Sequence, residues 1–145
     1  MDKESCPQPD YYEYVQLCKK RYSEMLKPVC TQWKLTRNEM DIILFLANHP
    51  TLNRAADISS RRGMSKSHIS KSISRLEMKG LLQCVEDPLD HRTMRLVLTE
   101  SAQIIKEHAL NVQKAFFQKL MHGLTETDIL FWHQLIDKIN FNMRN

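Results

Sequence analysis

A mainly helical chain with one β-hairpin is the fold class this sequence predicts, on three observations. Three glycines and five prolines, 8 of 145 residues, are under half of the usual share of about 12%, which disfavours turn-rich all-β folds and flexible linkers. Apolar residues recur at steps of three and four along most of the chain, the period of a helix face. Only two stretches, Leu82 to Glu86 and Met94 to Leu98, are β-prone, and the run between them, Asp87-Pro88-Leu89-Asp90-His91, has turn chemistry. A length of 145 residues is near the common size of one domain, so one compact body is expected.

The elements follow in order. Tyr11, Val15, Cys18, Tyr22, Met25, Leu26 and Val29 define one face of a first helix that Pro28 is expected to end. Thr36-Arg37-Asn38-Glu39 has capping-box form and opens a second helix, which buries Met40, Ile43, Leu44 and Ala47 and stops at Asn48-His49-Pro50. A short third helix, Arg54 to Arg62, ends at Gly63, where the missing Cβ permits a left-handed turn. Ser65 caps a fourth, Lys66 to Lys79, with Ile69, Ile73 and Leu76 inside and Lys66, Ser67, Ser70, Lys71, Ser74 and Arg75 outside. After the hairpin, Thr99 is expected to cap a long fifth helix with Ile104, Ile105, Val112, Ala115, Phe116 and Leu120 inside, breaking at His122-Gly123. Thr125 to Asp128 opens a last helix carrying Ile129, Trp132, Leu135, Ile136 and Ile139.

Several function classes lose their supports. Gly63, Gly80 and Gly123 lie too far apart to form a phosphate-cradling loop. The longest unbroken apolar stretch is Ile42 to Ala47, and MDKESCPQPD lacks the basic and apolar regions of a secretory signal, so a cytosolic protein with no membrane span is expected. Cys6, Cys18, Cys30 and Cys84 show no C-x-x-C spacing and read as free thiols. The six histidines form no H-E-x-x-H or recognisable triad, so neither an enzyme nor a cofactor is expected.

The charge is concentrated. Between Arg61 and Gly80, Arg61, Arg62, Lys66, Lys71, Arg75 and Lys79 stand against Glu77 alone, a local +5 against +4 for the whole chain. Two short helices joined at a glycine, the second exposing serines, lysines and His68 near its start, match what a helix-turn-helix needs in a major groove. Hydroxyls and helix-start amides hold phosphate oxygens, lysines release counterions, and lysine or histidine reaches guanine acceptors.

Three segments carry a family resemblance: LTRNEMDIILFLA, DISSRRGMSKSHISKSISRLEMKGLL and DPLDHRTMRLVLT. Together they resemble the winged helix-turn-helix of the MarR (multiple antibiotic resistance regulator) family of bacterial transcription factors. The most specific piece is D-x-R-x-x-x-L-x-L-T, here Asp90, Arg92, Leu96, Leu98 and Thr99, preceded by the R-L-E-x-K-G-L end of the fourth helix. The resemblance implies one unit over residues 1–145, with a DNA-binding lobe over 35–99 and dimerisation helices over 10–30 and 100–145. It implies a homodimer on a palindromic operator and, with the exposed basic face, puts Ser65, Lys66, Ser67, His68, Ser70, Lys71, Arg75, Asp90, His91 and Arg92 at the DNA, where Arg62 adds a candidate phosphate contact. Arg92, oriented by Asp90, is the residue expected in the minor groove. Two positions depart from the pattern: Arg62 replaces the usual apolar residue before the turn glycine, and Ala102 stands where many relatives have glycine.

Relatives of this kind respond to small aromatic acids, to thiol oxidation or to metals. By analogy, Tyr14, Trp33, Met40 and Phe116 line a crevice for a small aromatic or apolar effector. The oxidant-sensing cysteine of the family falls here on Tyr12, leaving Cys30, near Lys27, as the better thiolate candidate and Cys18 as packing. Cys30, Glu39, Asp41, Glu107 and His108 come from regions where zinc-sensing relatives draw ligands. Glu107 and His108, adjacent and about 100° apart on a helix, suit solvent better than chelation, and no metal site is expected. A winged helix used only to bind protein is the other reading, and the serine and lysine face favours DNA over it.

Overall fold

The computed structural model describes residues 9–145; Cys6 lies outside the described residues. The elements are α1 (Tyr11–Gln32), α2 (Arg37–Asn48), α3 (Ala55–Arg62), α4 (Lys66–Met78), β1 (Leu82–Glu86), β2 (Met94–Leu98), a 3-10 turn over Glu100–Ala102, α5 (Gln103–Leu120) and α6 (Glu126–Arg144). The chain forms two compact units, one ending at Gln113 and the other spanning Lys114–Asn145.

In the first unit, α1 is capped by Asp10, whose carboxylate accepts from the Glu13 amide at 2.9 Å. Pro28 does not end it: the helix runs on to Gln32 with the proline inside. A proline removes one helix hydrogen bond, and here the flanking Leu26 and Val29 are buried in the core and hold the turn. Just past the helix end the chain turns at Lys34, at φ 52°, the only non-glycine residue with positive φ among those described. The Leu35 amide there donates to the Cys30 carbonyl at 2.8 Å.

Helix α2 is the centre of the core. Thr36 and Glu39 form the expected capping box. Met40, Ile42, Ile43, Leu44, Phe45 and Leu46 are all buried, because other elements cover nearly every side of this helix. Ala47, expected inside, is only half-buried. Ile58 of α3, Ile69, Ile73 and Leu76 of α4, Leu81, Leu82 and Leu96 of the hairpin region, and Ile105 and Ala109 of α5 complete one cluster. The strands pair antiparallel, Leu82 opposite Leu98 and Glu86 opposite Met94. Thr99 does not cap α5 with its side chain, as its sequence position suggested. Its hydroxyl donates to the Gly80 carbonyl at 2.6 Å, fastening the strand exit to the end of α4, and the chain enters α5 through the 3-10 turn.

In the second unit, Thr125 and Asp128 cap α6 reciprocally at 3.1 and 2.9 Å. No residue of α6 is buried. Leu130, Phe131, Leu135, Ile139, Phe141 and Met143 are exposed. Of the α5 residues expected inside, Ile105 is buried, while Ile104 is largely exposed and Ala115 is exposed.

Candidate nucleic-acid interface

The turn between α3 and α4 is set by Gly63 at φ 64°, with its amide donating to the Ser59 carbonyl at 3.1 Å. Ser65 then caps α4, its hydroxyl accepting from the His68 amide at 3.2 Å. Ile69, Ser72, Ile73 and Leu76 face the core. Ser65, Lys66, Ser67, His68, Ser70, Lys71, Ser74 and Arg75 are exposed, so one helix presents hydroxyls, cations and an imidazole together to solvent.

At the other end of α4, Lys79 is taken inward. Its Nζ donates to Glu39 Oε1 at 2.9 Å and to the Lys34 carbonyl at 2.8 Å. Glu39 is fully buried. Burial pushes its carboxyl up, but Lys79 and the Thr36 amide outweigh that and hold it below the usual carboxylate range. One of the six cations counted in the basic stretch therefore neutralises a buried carboxylate. Arg62 is exposed, its guanidinium lying 5.1 Å from the centroid of the Phe45 ring, which stacks on His49 at 4.5 Å. The departure from an apolar residue is thus met by a cation over an aromatic face.

The hairpin turn is ordered by two aspartates. The Asp87 amide donates to the Thr93 carbonyl at 3.0 Å, the Thr93 amide to the Asp90 carbonyl at 3.1 Å, and the Arg92 amide to Asp90 Oδ1 at 3.0 Å. Asp90 orients Arg92 through its backbone, leaving the exposed guanidinium outside that hydrogen bond. His91, also exposed, places Nδ1 2.7 Å from Glu86 Oε1.

Sequence reasoning missed the anchor beneath this turn. Asp87 has no exposed surface, and it receives Arg54 Nη2 at 2.8 Å and Arg95 Nε at 3.2 Å on Oδ2. The Leu89 amide donates to its Oδ1 at 2.9 Å. That amide, with the two guanidiniums, holds the carboxyl at about 2 against the opposing effect of burial. The Asp-Pro start of the turn was a local signal for Asp87; nothing local marks Arg54, 33 residues earlier, as its partner.

Of the proposed effector residues, Tyr14, Trp33 and Met40 lie in the first unit and Phe116 in the second. Met40 has no exposed surface, Tyr14 lies on the open first half of α1, and Trp33 packs edge-on to His108 at 4.9 Å. Phe116, in the second unit, packs against Phe117 at 5.6 Å. A cleft of about 550 Å3 opens beside the end of α1, lined by Leu26, Lys27, Cys30, Lys34, Leu35 and Arg37, with Ser23 and Thr31. Arg37 is engaged there, donating to Asp41 at 2.8 Å and to Ser23 at 2.7 Å. Burial pushes the Cys30 thiol up, away from the thiolate character that its neighbour Lys27 suggested, and burial also pushes the Cys84 thiol up to about 11. Among the metal candidates, Glu39 and Asp41 are already paired with Lys79 and Arg37.

A glycine-turned pair of helices, an exposed cationic second helix and an adjoining two-stranded wing with an arginine in its turn together define a winged helix-turn-helix. A family model described as MarR family matches residues 33–93. The HTH-type transcriptional repressor MdtR of Bacillus subtilis (strain 168) is 28% identical over 114 residues, 79% of this chain and 72% of that protein. Residues 33–93 thus match the MarR family, and over most of its length the chain is similar to a transcriptional repressor. In fold it is similar to the transcription regulator MarR from Oenococcus oeni PSU-1, with a TM-score of 0.73 and 20% identity, over 90% of this chain and 98% of that one. It is similar also to NadR, solved in complex with 4-hydroxyphenylacetate, with a TM-score of 0.75 and 19% identity over 96% of this chain and 97% of that one.

Proposed function

We propose that the protein is a cytoplasmic homodimeric repressor that binds a palindromic operator and is released by a small aromatic or apolar effector. The observation that carries the DNA reading is the exposed face of α4, with Lys66, Ser67, His68, Ser70, Lys71 and Arg75 beside a wing that presents Arg92. In this reading the start of α4 reads base edges in the major groove. Arg92 enters the minor groove, which offers mainly width and potential. Arg62, Ser65 and His91 flank these contacts. Support for repression and for an effector comes from the relatives: one is named a repressor, and another was solved with an aromatic acid. The cleft at the end of α1, with Leu26 and Leu35 among its apolar lining and Lys27 and Lys34 among its cations, suits an effector of that kind better than the surroundings of Met40. No helix among the described residues is long and apolar enough to cross a membrane.

The test separates the two kinds of contact. Lys71→Ala should weaken binding to the operator by about 1–3 kcal/mol and narrow the gap between operator and scrambled duplex. Arg92→Ala should weaken binding more evenly, most where the flanks are A·T-rich, and lower the salt slope by about one unit per wing. Isotherms at several salt concentrations on both duplexes measure this. An Arg92→Ala protein with unchanged affinity and slope would remove the wing from the groove.

A further inference from the structure

We propose that Arg54 and Arg95, held by the buried Asp87, form a second DNA-backbone site that grips a phosphate beside the wing; this rests on the reading of α4 and the wing as the DNA-binding surface. Three features of the chain converge on it. The first is the segregation of charge. The Asp87 carboxylate is wholly buried, whereas the side chains of Arg54 and Arg95 remain 46% and 41% exposed, so the cations form the outer layer. A second carboxylate nearby, Asp57, is turned to the Arg54 amide, accepting it at 3.1 Å. Formal charge balances at this site; Asp57 is half-buried and Asp87 wholly buried, while both arginine side chains reach solvent.

The second feature is rigidity. Arg54 uses Nη2, and Arg95 uses Nε and Nη2, on the same carboxylate. The guanidiniums keep further N–H groups outside those bonds, since each fork carries five donors. Side chains already fixed lose less conformational freedom on meeting an anion, and guanidinium forks suit phosphate oxygens. Both arginines line a polar cleft of about 500 Å3 with Asn53, Asp57 and Thr51.

Position is the third. Arg54 immediately precedes α3, the first helix of the helix-turn-helix, which in such motifs crosses the DNA backbone. Arg95 lies on β2, three residues past Arg92, and Asp87 bonds across the hairpin to Thr93 at the root of the wing turn. The carboxylate therefore joins a cation at the start of α3 to one on a strand of the wing. A lone surface arginine makes a weak contact; here one anchor serves two of them.

The experiment measures salt dependence on a random-sequence duplex, where phosphate contacts supply the affinity. Arg54→Gln and Arg95→Gln should each lower the slope of log K against log salt by about 0.9 for each phosphate that is no longer neutralised, while Arg95→Lys, which keeps the charge, should hold the slope. Slopes unchanged in both glutamine variants overturn the proposal. Lys71→Ala and Arg92→Ala, measured on the same duplex, report on the wider reading: if they move the slope and the glutamine variants do not, only the second site fails. A test needing no substitution guards against variants that fail to fold. In the wild-type protein, phenylglyoxal modification mapped by peptide mass spectrometry should slow at Arg54 and Arg95 when the duplex is bound, and equal rates with and without DNA overturn the site.

Discussion

Glu39 shows how one side chain serves two elements. Its Oε2 closes the α2 cap by accepting the Thr36 amide, and its Oε1 receives Lys79 from the end of α4. Lys79→Met would leave a buried carboxylate without its cation, at a cost of about 1–3 kcal/mol. Adding Glu39→Gln should recover part of that loss, which urea unfolding of the single and double variants can measure. A double variant no more stable than Lys79→Met would show that the pairing is not what matters. The carboxyls also set the acid response. Glu39 and Asp87 are both held below their ordinary values, near 4.3 and 3.9. Their contributions are complete above those values and are lost as pH falls through the folded ones, for Asp87 from about 4 to about 2. Unfolding midpoints measured from pH 5 downward should fall, and Asp87→Asn should flatten the drop in that lower window.

The α3 turn and α4 form the element on which the proposed recognition depends, and their junction rests on backbone geometry. A Cβ added at Gly63 meets no atom within 4 Å, so substitution there is opposed by the positive φ alone. Gly63→Ala should therefore cost about 1–2 kcal/mol, with Gly63→Asn milder because asparagine tolerates the left-handed region. Thermal unfolding of the two variants measures it. If alanine and asparagine are equally neutral, the turn relaxes without strain. The wing was legible in outline. Its strand limits and turn followed from β-prone runs and Asp-Pro chemistry, but its anchoring to α3 joins residues 33 apart, a pairing that no local pattern encodes.

The second unit raises the question of assembly. Helix α6 buries nothing in the single chain, although Leu130, Phe131, Leu135 and Ile139 recur along it at helical spacing. Such an apolar face in water calls for a partner surface. In the proposed homodimer a second copy supplies it. Light scattering at micromolar concentration should give about twice 17.1 kDa. Leu135→Glu should shift the protein toward monomer and weaken operator binding, since two half-sites would no longer be gripped together. A stable wild-type monomer would sink the assembly and with it the palindromic operator.

Local chemistry was enough to place the second through fourth helices, the hairpin and the last helix. Capping boxes, the glycine of a left-handed turn and the residue before proline act over four residues or fewer and need no partner. The exposed face of α4 was legible for the same reason, because helical period alone separates Ile69, Ile73 and Leu76 from the serines and cations. Packing decided the rest. It carried α1 through Pro28, since buried Leu26 and Val29 outweigh one missing hydrogen bond. It turned Thr99 from a helix cap into a tie to Gly80 and engaged Lys79, one of the cations of the basic stretch, with Glu39. It also brought Arg54 and Arg95 to one buried aspartate. Each of these joins groups distant in sequence, where the cost of burying a polar atom unpaired selects the partner, and that cost exists only once the chain has folded around it.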